Sequence, residues 1–327
     1  MHIVTTSDNN YVSGVLTLIA SAFRHNPAAR FSVLAVDWHA ENAARLDALA
    51  ARLGCSIRMI VVDAEKLADL PVRRAHLSVA AFARLLIAEL MPDAGRLIYM
   101  DADMLVTGAL DEGHETPLAP QELLAAVPCP SPRDAALRNL DLAREDYFNS
   151  GFLVIDTDVW REHNLGQACI MRLAEDTGRY VSEDESALND VCRNRYRKLP
   201  SGLNFYAQET AFQPALNDPA SIRVIHYVTA PKPWQGPTPL DTLWHHEAAK
   251  IADLLPPPPP APIQPRTALS RINGTRKVWV GWALRREKYR DSFRIRTFLR
   301  DRLIPGYLAD GSFARVAPPR PAFRNPA

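Results

Sequence analysis

Cysteine is scarce in this chain. Its 327 residues include four, Cys55, Cys129, Cys169 and Cys192, widely spaced and without a C-x-x-C pair. That spacing argues against a disulfide framework or a cysteine zinc site and suits a reducing compartment. Long apolar runs are missing as well: no stretch approaches the ~20 uninterrupted apolar residues of a membrane-spanning helix. The opening MHIVTTSDNNYVSG has neither a basic start nor an apolar run, so no secretory leader is expected and the expected location is cytoplasmic. No internal repeat is visible. What is present is a globular composition, 47% hydrophobic and 23% charged, enough for one large domain with an appendage or for two domains.

Net charge is also nearly absent, at +1, but it is unevenly spread. Residues 256–327 hold 15 Lys+Arg and 4 Asp+Glu, which leaves 23 basic and 33 acidic residues in the first 255. Such a split points to a basic tail with an anionic partner of its own. The run PPPPPAPIQP, Pro256–Pro265, is a stiff linker that no helix or strand continues through. The expected organisation is therefore a main domain over 1–255, a linker over 256–265 and a basic aromatic tail over 266–327.

Along the first part, apolar strands alternate with helical periodicity. His2–Thr6, Phe31–Val36, Ile57–Val62 and RLIYM, which ends at Met100, read as strands. Between them Val12, Val15, Leu16, Ile19, Ala22 and Phe23 recur at helical spacing, and Glu41–Leu53 and Ser78–Leu90 read as helices. Leu123–Val127, Phe152–Thr157 and Ile222–Val228 are further strands, and Asp158–Thr177 and Glu183–Cys192 further helices. Pro128–Asp146 reads as a loop or short helices. The alternation predicts an α/β fold with a mostly parallel sheet covered on both faces.

The most informative stretch is RLIYMDADMLV, Arg96–Val106. An apolar strand ends on Asp101 and Asp103, and in extended backbone residues i and i+2 project to one side. Both acids then face the crevice beyond the strand's carboxyl end, where open α/β sheets bind ligands. Two adjacent carboxylates are costly unless offset, and hard oxygen donors suit Mg²⁺ or Mn²⁺ carrying a phosphate. An isolated D-x-D is equally an acidic turn after a strand.

Six ordered blocks over Met1 to about Trp234 resemble glycosyltransferase family 8, the retaining nucleotide-sugar transferases, which implies a single Rossmann-like domain of the GT-A type. In IVTTSDNNY the resemblance places Asp8 and Asn10 beside the uridine and Tyr11 near the uracil, although an Asp or Asn there is also an ordinary helix N-cap. In HLSVAAFARL it turns Arg84 toward the nucleotide sugar, where a guanidinium suits phosphate oxygens. In YMDADMLV it makes Asp101 and Asp103 metal ligands and sets the Ala102 backbone at the ribose. In YFNSGFLVIDTDVW it assigns Asn149, on an expected turn, to the donor sugar or acceptor.

In EDESALND, Asp184, Leu188 and Asn189 match the family's D-Q-D-x-L-N, while Glu185 stands for the usual Gln and Ser186 for the second Asp. A carboxylate at Glu185 stabilises an oxocarbenium-like transition state, acts as a nucleophile, or simply belongs to an acidic first turn. In IHYVTAPKPW, His226 is the implied third metal ligand and Lys232 the diphosphate contact, with Thr229 where the family has Gly. One imidazole among carboxylates favours Mn²⁺ over Mg²⁺.

The function this implies is a metal-dependent retaining hexosyltransferase moving galactose or glucose from a UDP-sugar to a glycan or glycolipid, in lipopolysaccharide or surface polysaccharide synthesis. The alternatives are a non-catalytic or hydrolytic UDP-sugar-binding protein of the same fold, or a D-x-D phosphohydrolase, whose acids normally follow the first strand. In the tail, Val278, Trp282, Tyr289 and Phe293 fall on one helical stripe among arginines, which suits a peripheral contact with an anionic membrane; a helix packed back on the domain is the other reading. No nucleic-acid partner is expected.

Overall fold

The computed structural model describes residues 1–63, 79–175, 178–208, 212–258, 280, 287–319 and 322–323. Among the described residues, ten strands form two sheets. The larger contains β1 (His2–Ser7), β2 (Arg30–Val36), β3 (Ile57–Val62), β4 (Arg96–Met100), β6 (Leu124–Pro128), β7 (Phe148–Asp156) and β8 (Tyr196–Lys198), in the order β3-β2-β1-β4-β7-β6-β8. The smaller contains β5 (Met104–Val106), β9 (Phe205–Tyr206) and β10 (Val224–His226), in the order β5-β10-β9.

The large sheet is parallel from β3 to β4, and β7 runs antiparallel to both of its neighbours. Its strands are apolar on both sides because both sides are covered. Val4, Leu34, Leu97 and Tyr99 enter one core, while Ile3, Val33, Ile98 and Met100, the alternate residues, enter the other. That is the near-continuous apolar run expected of a doubly covered parallel strand.

Several predicted elements change at their ends. β7 begins at Phe148, so the N-S-G stretch read as a turn lies inside a strand. Its pairing slips between Ala126↔Leu153 and Pro128↔Phe148, leaving Asn149–Phe152 bulged against β6. Bulges re-aim side chains and recur beside active sites. The helix expected over Asp158–Thr177 is two, Thr157–Glu162 and Leu165–Glu175, interrupted by Asn164 at φ 48°. The helix expected from Ser78 is a 3₁₀ stretch, Val79–Leu86, followed by a short α-helix, Ile87–Leu90; Ser78 itself lies outside the described residues.

A third core joins the small sheet to the tail. Leu105, Phe205, Ile225, Trp234 and Trp244 pack with Ile295, Phe298, Leu299, Leu303, Tyr307 and Phe313. The described part of the tail thus packs back on the domain, through helices Glu287–Phe298 and Ile304–Asp310. Of the predicted membrane stripe, Phe293 is half-buried; Val278, Trp282 and the Tyr289 side chain lie outside the described residues. No helix among the described residues is long and apolar enough to cross a membrane.

Candidate active site

β4 ends at Met100, and the acidic pair sits in the tight turn that follows, with Met104 N–H donating to the Asp101 carbonyl at 3.2 Å. The carboxylates converge because the chain turns there, which corrects the projection expected from strand pleating. β5, which follows the turn, pairs antiparallel with β10 and sets Met104 opposite His226. One potential ligand atom each from Asp101, Asp103 and His226 then falls within 4.8 Å of the others.

The fit to a divalent cation rests on lone pairs left free of donors. His226 Nδ1 lies 2.8 Å from the Asn204 amide oxygen, an acceptor, so Nδ1 carries the ring proton and Nε2 presents a lone pair. That lone pair faces Asp103 Oδ1 at 3.1 Å and Asp101 Oδ2 at 3.7 Å. Asp103 Oδ1 is buried and has no hydrogen-bond partner among the described residues. A nitrogen and two carboxylate oxygens aimed at one point, one of them buried and unsatisfied, form a hard donor set with one borderline ligand.

Gly151 makes this approach possible. A Cβ there would stand 2.5 Å from His226 Cε1 and 2.7 Å from Asp101 Oδ2. Gly14 does the same for the turn, since a Cβ on it would meet the Ala102 carbonyl oxygen at 2.3 Å.

The second oxygen of Asp103 accepts from Lys232 Nζ at 2.5 Å, and the same ammonium donates to the Tyr227 carbonyl at 2.7 Å. Burial pushes the Asp103 carboxyl up, but the Lys232 ammonium outweighs it and holds the group well below the usual carboxylate range. Lys232 lines the cleft as the resemblance implies, yet its ammonium is committed to the Asp103 carboxylate. It reaches a diphosphate only by sharing that bond.

Arg84 is likewise committed. It donates to Asp101 at 2.9 Å, to Asp184 at 3.1 Å and to the Ser150 carbonyl at 2.8 Å, and its guanidinium lies 4.8 Å from the Tyr99 ring centre. Burial would lower its pKa; Asp101 and Asp184 outweigh that and raise it. Instead of standing free to grip a phosphate, Arg84 ties the acidic turn to the helix Asp184–Val191. Asp184 titrates the other way: burial lifts it to about 6 against the pull of Arg84.

At the start of that helix, Glu183 is held at φ 53° and ψ −125°, a sparsely populated conformation of the kind found at functional sites. It turns the following Glu185 into the cleft. Both oxygens of Glu185 are held, Oε1 by the Tyr147 hydroxyl at 2.9 Å and Oε2 by the Asn149 amide at 2.6 Å. Ser186, in place of an acid, is buried, and its hydroxyl accepts from Ser182 N–H at 3.0 Å. Thr229 is exposed and does not line the cleft.

The cleft brings together Tyr11, Arg84, Asp101, Ala102, Asp103, Asn149, Asp184, Glu185, His226 and Lys232. Asp8 and Asn10 are not among its lining residues. Asp8 caps the 3₁₀ turn Asn9–Tyr11 by accepting from Asn10 N–H at 2.8 Å, and the Asn10 carbonyl accepts from Trp234 at 3.0 Å. Tyr147 and Asn204 complete the site and were not singled out from the sequence. Tyr147 opens the YFNSG motif, whereas Asn204 carries no local signal.

Residues 2–237 match the model of glycosyl transferase family 8. Lipopolysaccharide 1,3-galactosyltransferase of Salmonella typhimurium is 28% identical over 244 residues, spanning 70% of this chain and 71% of that protein. Lipopolysaccharide glucosyltransferase WaaO of Escherichia coli is 25% identical over 248 residues, spanning 70% of each. The solved structure of galactosyltransferase LgtC in complex with donor and acceptor sugar analogs shares the fold, with a TM-score of 0.67 and 24% identity over 76% of this chain and 96% of that one. The chain belongs to glycosyltransferase family 8 and is a glycosyltransferase with the GT-A fold.

Proposed function

We propose that this enzyme moves galactose or glucose from a UDP-sugar to a glycan or glycolipid acceptor, with retention at the anomeric carbon, in the assembly of lipopolysaccharide or another surface polysaccharide. The carrying observation is that Asp101, Asp103 and His226 converge in a cleft that also holds Asp184 and Glu185. Two relatives are themselves lipopolysaccharide galactosyl- and glucosyltransferases, which supports the substrate class.

Mn²⁺, or Mg²⁺, held by the three ligands would supply Lewis-acid stabilisation of a departing diphosphate. Lys232 adds a buried ammonium beside Asp103, so a further positive charge stands ready where phosphate oxygens gather negative charge. Tyr11 and the Ala102 backbone line the nucleotide side of the cleft, with Asp8 and Asn10 shaping the turn behind them. Tyr147 and Asn149 fix the Glu185 carboxylate, which opposes positive charge at the anomeric carbon or attacks it. Arg300, Arg302 and Arg315 stay exposed on the packed tail and suit an anionic membrane surface, which supports a reading of the protein as cytoplasmic and peripheral to its membrane.

The test is thermal stabilisation of the full chain by UDP with and without Mn²⁺, followed by turnover of UDP-galactose and UDP-glucose. Stabilisation that depends on Mn²⁺, with sugar transfer, is expected. Indifference to UDP under both conditions would refute the reading, and stabilisation without turnover would make the protein a nucleotide-sugar binder.

A further inference from the structure

We infer that Asn204 is a positioning residue that sets the tautomer of His226 and links the metal ligands to Glu185 through Asn149. The inference rests on the metal-dependent reading above.

Amide orientations can be assigned only from their surroundings, and here the surroundings fix them in series. Asn149 Oδ1 accepts from the backbone N–H of Gly151 at 3.1 Å, a group that can only donate. Asn149 Nδ2 donates to a Glu185 oxygen at 2.6 Å, a group that accepts when ionised. Asn149 therefore has one orientation. Its fixed Oδ1 accepts a second bond, from Asn204 Nδ2 at 2.8 Å. A flipped Asn204 would press oxygen against oxygen, so Asn204 also has one orientation and turns its own Oδ1 to His226 Nδ1, 2.8 Å away.

The ring proton is thereby placed on Nδ1, and the Nε2 lone pair on the metal side. All members of the chain are buried or partly buried, Asn204 with 2% of its surface exposed, so water does not take over for a lost partner. Tyr206 stands edge-on to the imidazole at 5.6 Å and restrains its plane. Partners of this kind on a metal-binding histidine typically govern affinity by 10- to 100-fold.

The two arms of Asn204 separate by substitution. Asn204→Ala removes both, and is expected to weaken Mn²⁺ binding to the full chain about 10- to 100-fold by electron paramagnetic resonance titration, and to lower kcat. Asn204→Asp keeps an acceptor for Nδ1–H and loses the donor to Asn149. It should recover Mn²⁺ affinity to within about threefold of wild type while kcat stays depressed, a split that a merely structural role would not give. Unchanged Mn²⁺ affinity in Asn204→Ala, or recovery of both properties in Asn204→Asp, would overturn the inference.

A third measurement needs no variant: in ¹⁵N-labelled wild-type protein without metal, His226 should show a protonated Nδ1 and a bare Nε2, and the opposite tautomer refutes the inference even if both variants fail to fold. Wild-type protein that binds no Mn²⁺ would instead remove the metal-dependent reading, and this inference with it.

Discussion

Two acidic pairs face the same cleft, and they are offset in different ways. Asp101 and Asp103 are met by cations, Arg84 on one and Lys232 on the other, with the His226 imidazole between the two acids. Of the second pair, Asp184 shares Arg84, while Glu185 is held by the neutral groups of Tyr147 and Asn149. A carboxylate surrounded by positive charge is held ionised and rigid, which suits a ligand. A carboxylate held by neutral donors keeps its own negative charge for whatever enters the cleft. The chain thus divides one residue type into two chemical jobs by the charge of the neighbours.

The strongest way to break this comparison is Asp103→Asn, which removes one ligand charge and strands the Lys232 ammonium. It is expected to lower kcat/KM for a UDP-sugar about 10³-fold with the circular dichroism spectrum unchanged; a loss below tenfold would deny the pair its role. Glu185→Gln sharpens the other side. It is expected to cost about 10- to 100-fold in kcat, as the loss of an electrostatic partner does. A loss well beyond 10³-fold with an isolable glycosyl-enzyme would make Glu185 a nucleophile, and near-normal transfer would exclude that.

The smallest effect is at a control on the same helix. Asp190 is buried far from this chemistry and accepts from Tyr180 at 2.9 Å and Arg193 at 3.2 Å, with Arg172 also bonded. Burial pushes its carboxyl up, but Tyr180 and the arginines win and lower it. A lowered folded-state pKa means stability that is present above the ordinary carboxylate range and is lost as pH falls through the folded-state value. Asp190→Asn should therefore cost on the order of 2 kcal/mol in urea melts at pH 7, and progressively less as pH falls below the ordinary carboxylate range, while leaving transfer intact. An equal cost at every pH would show that the charge is not what matters.

Much of the fold is legible in the sequence because local periodicity carries it. The strands up to Met100 and the helices Val12–His25 and Ala40–Leu53 follow from apolar spacing. Asn149–Gly151 reads as a turn by composition and is instead a bulged strand, since Phe148 on one side of it pairs with Pro128 and Phe152 on the other with Met100, pairings that local sequence cannot announce. The three metal-ligand candidates are recognisable because they sit in motifs. The commitments of Arg84 and Lys232 to acids are not, because each spans a distance that only folding closes. Asn204 stands in LPSGLNFY, where nothing in composition distinguishes it from a loop residue.

The packed tail has a further consequence, for the order in which parts of the domain can settle. Glu247 is buried and is satisfied by Arg24 at 2.7 Å, by Lys250 at 3.0 Å and by the Tyr307 hydroxyl at 2.8 Å. A nascent chain still lacking residues 291–319 has Glu247 without Tyr307 and the apolar side chains around Trp244 uncovered. Its helix Val12–His25, which carries Arg24, then lacks the Arg24–Tyr307 hydrogen bond. The helix next to the cleft residue Tyr11 is thus tied through one guanidinium to a segment almost three hundred residues further along the chain, and the two meet only when the tail docks.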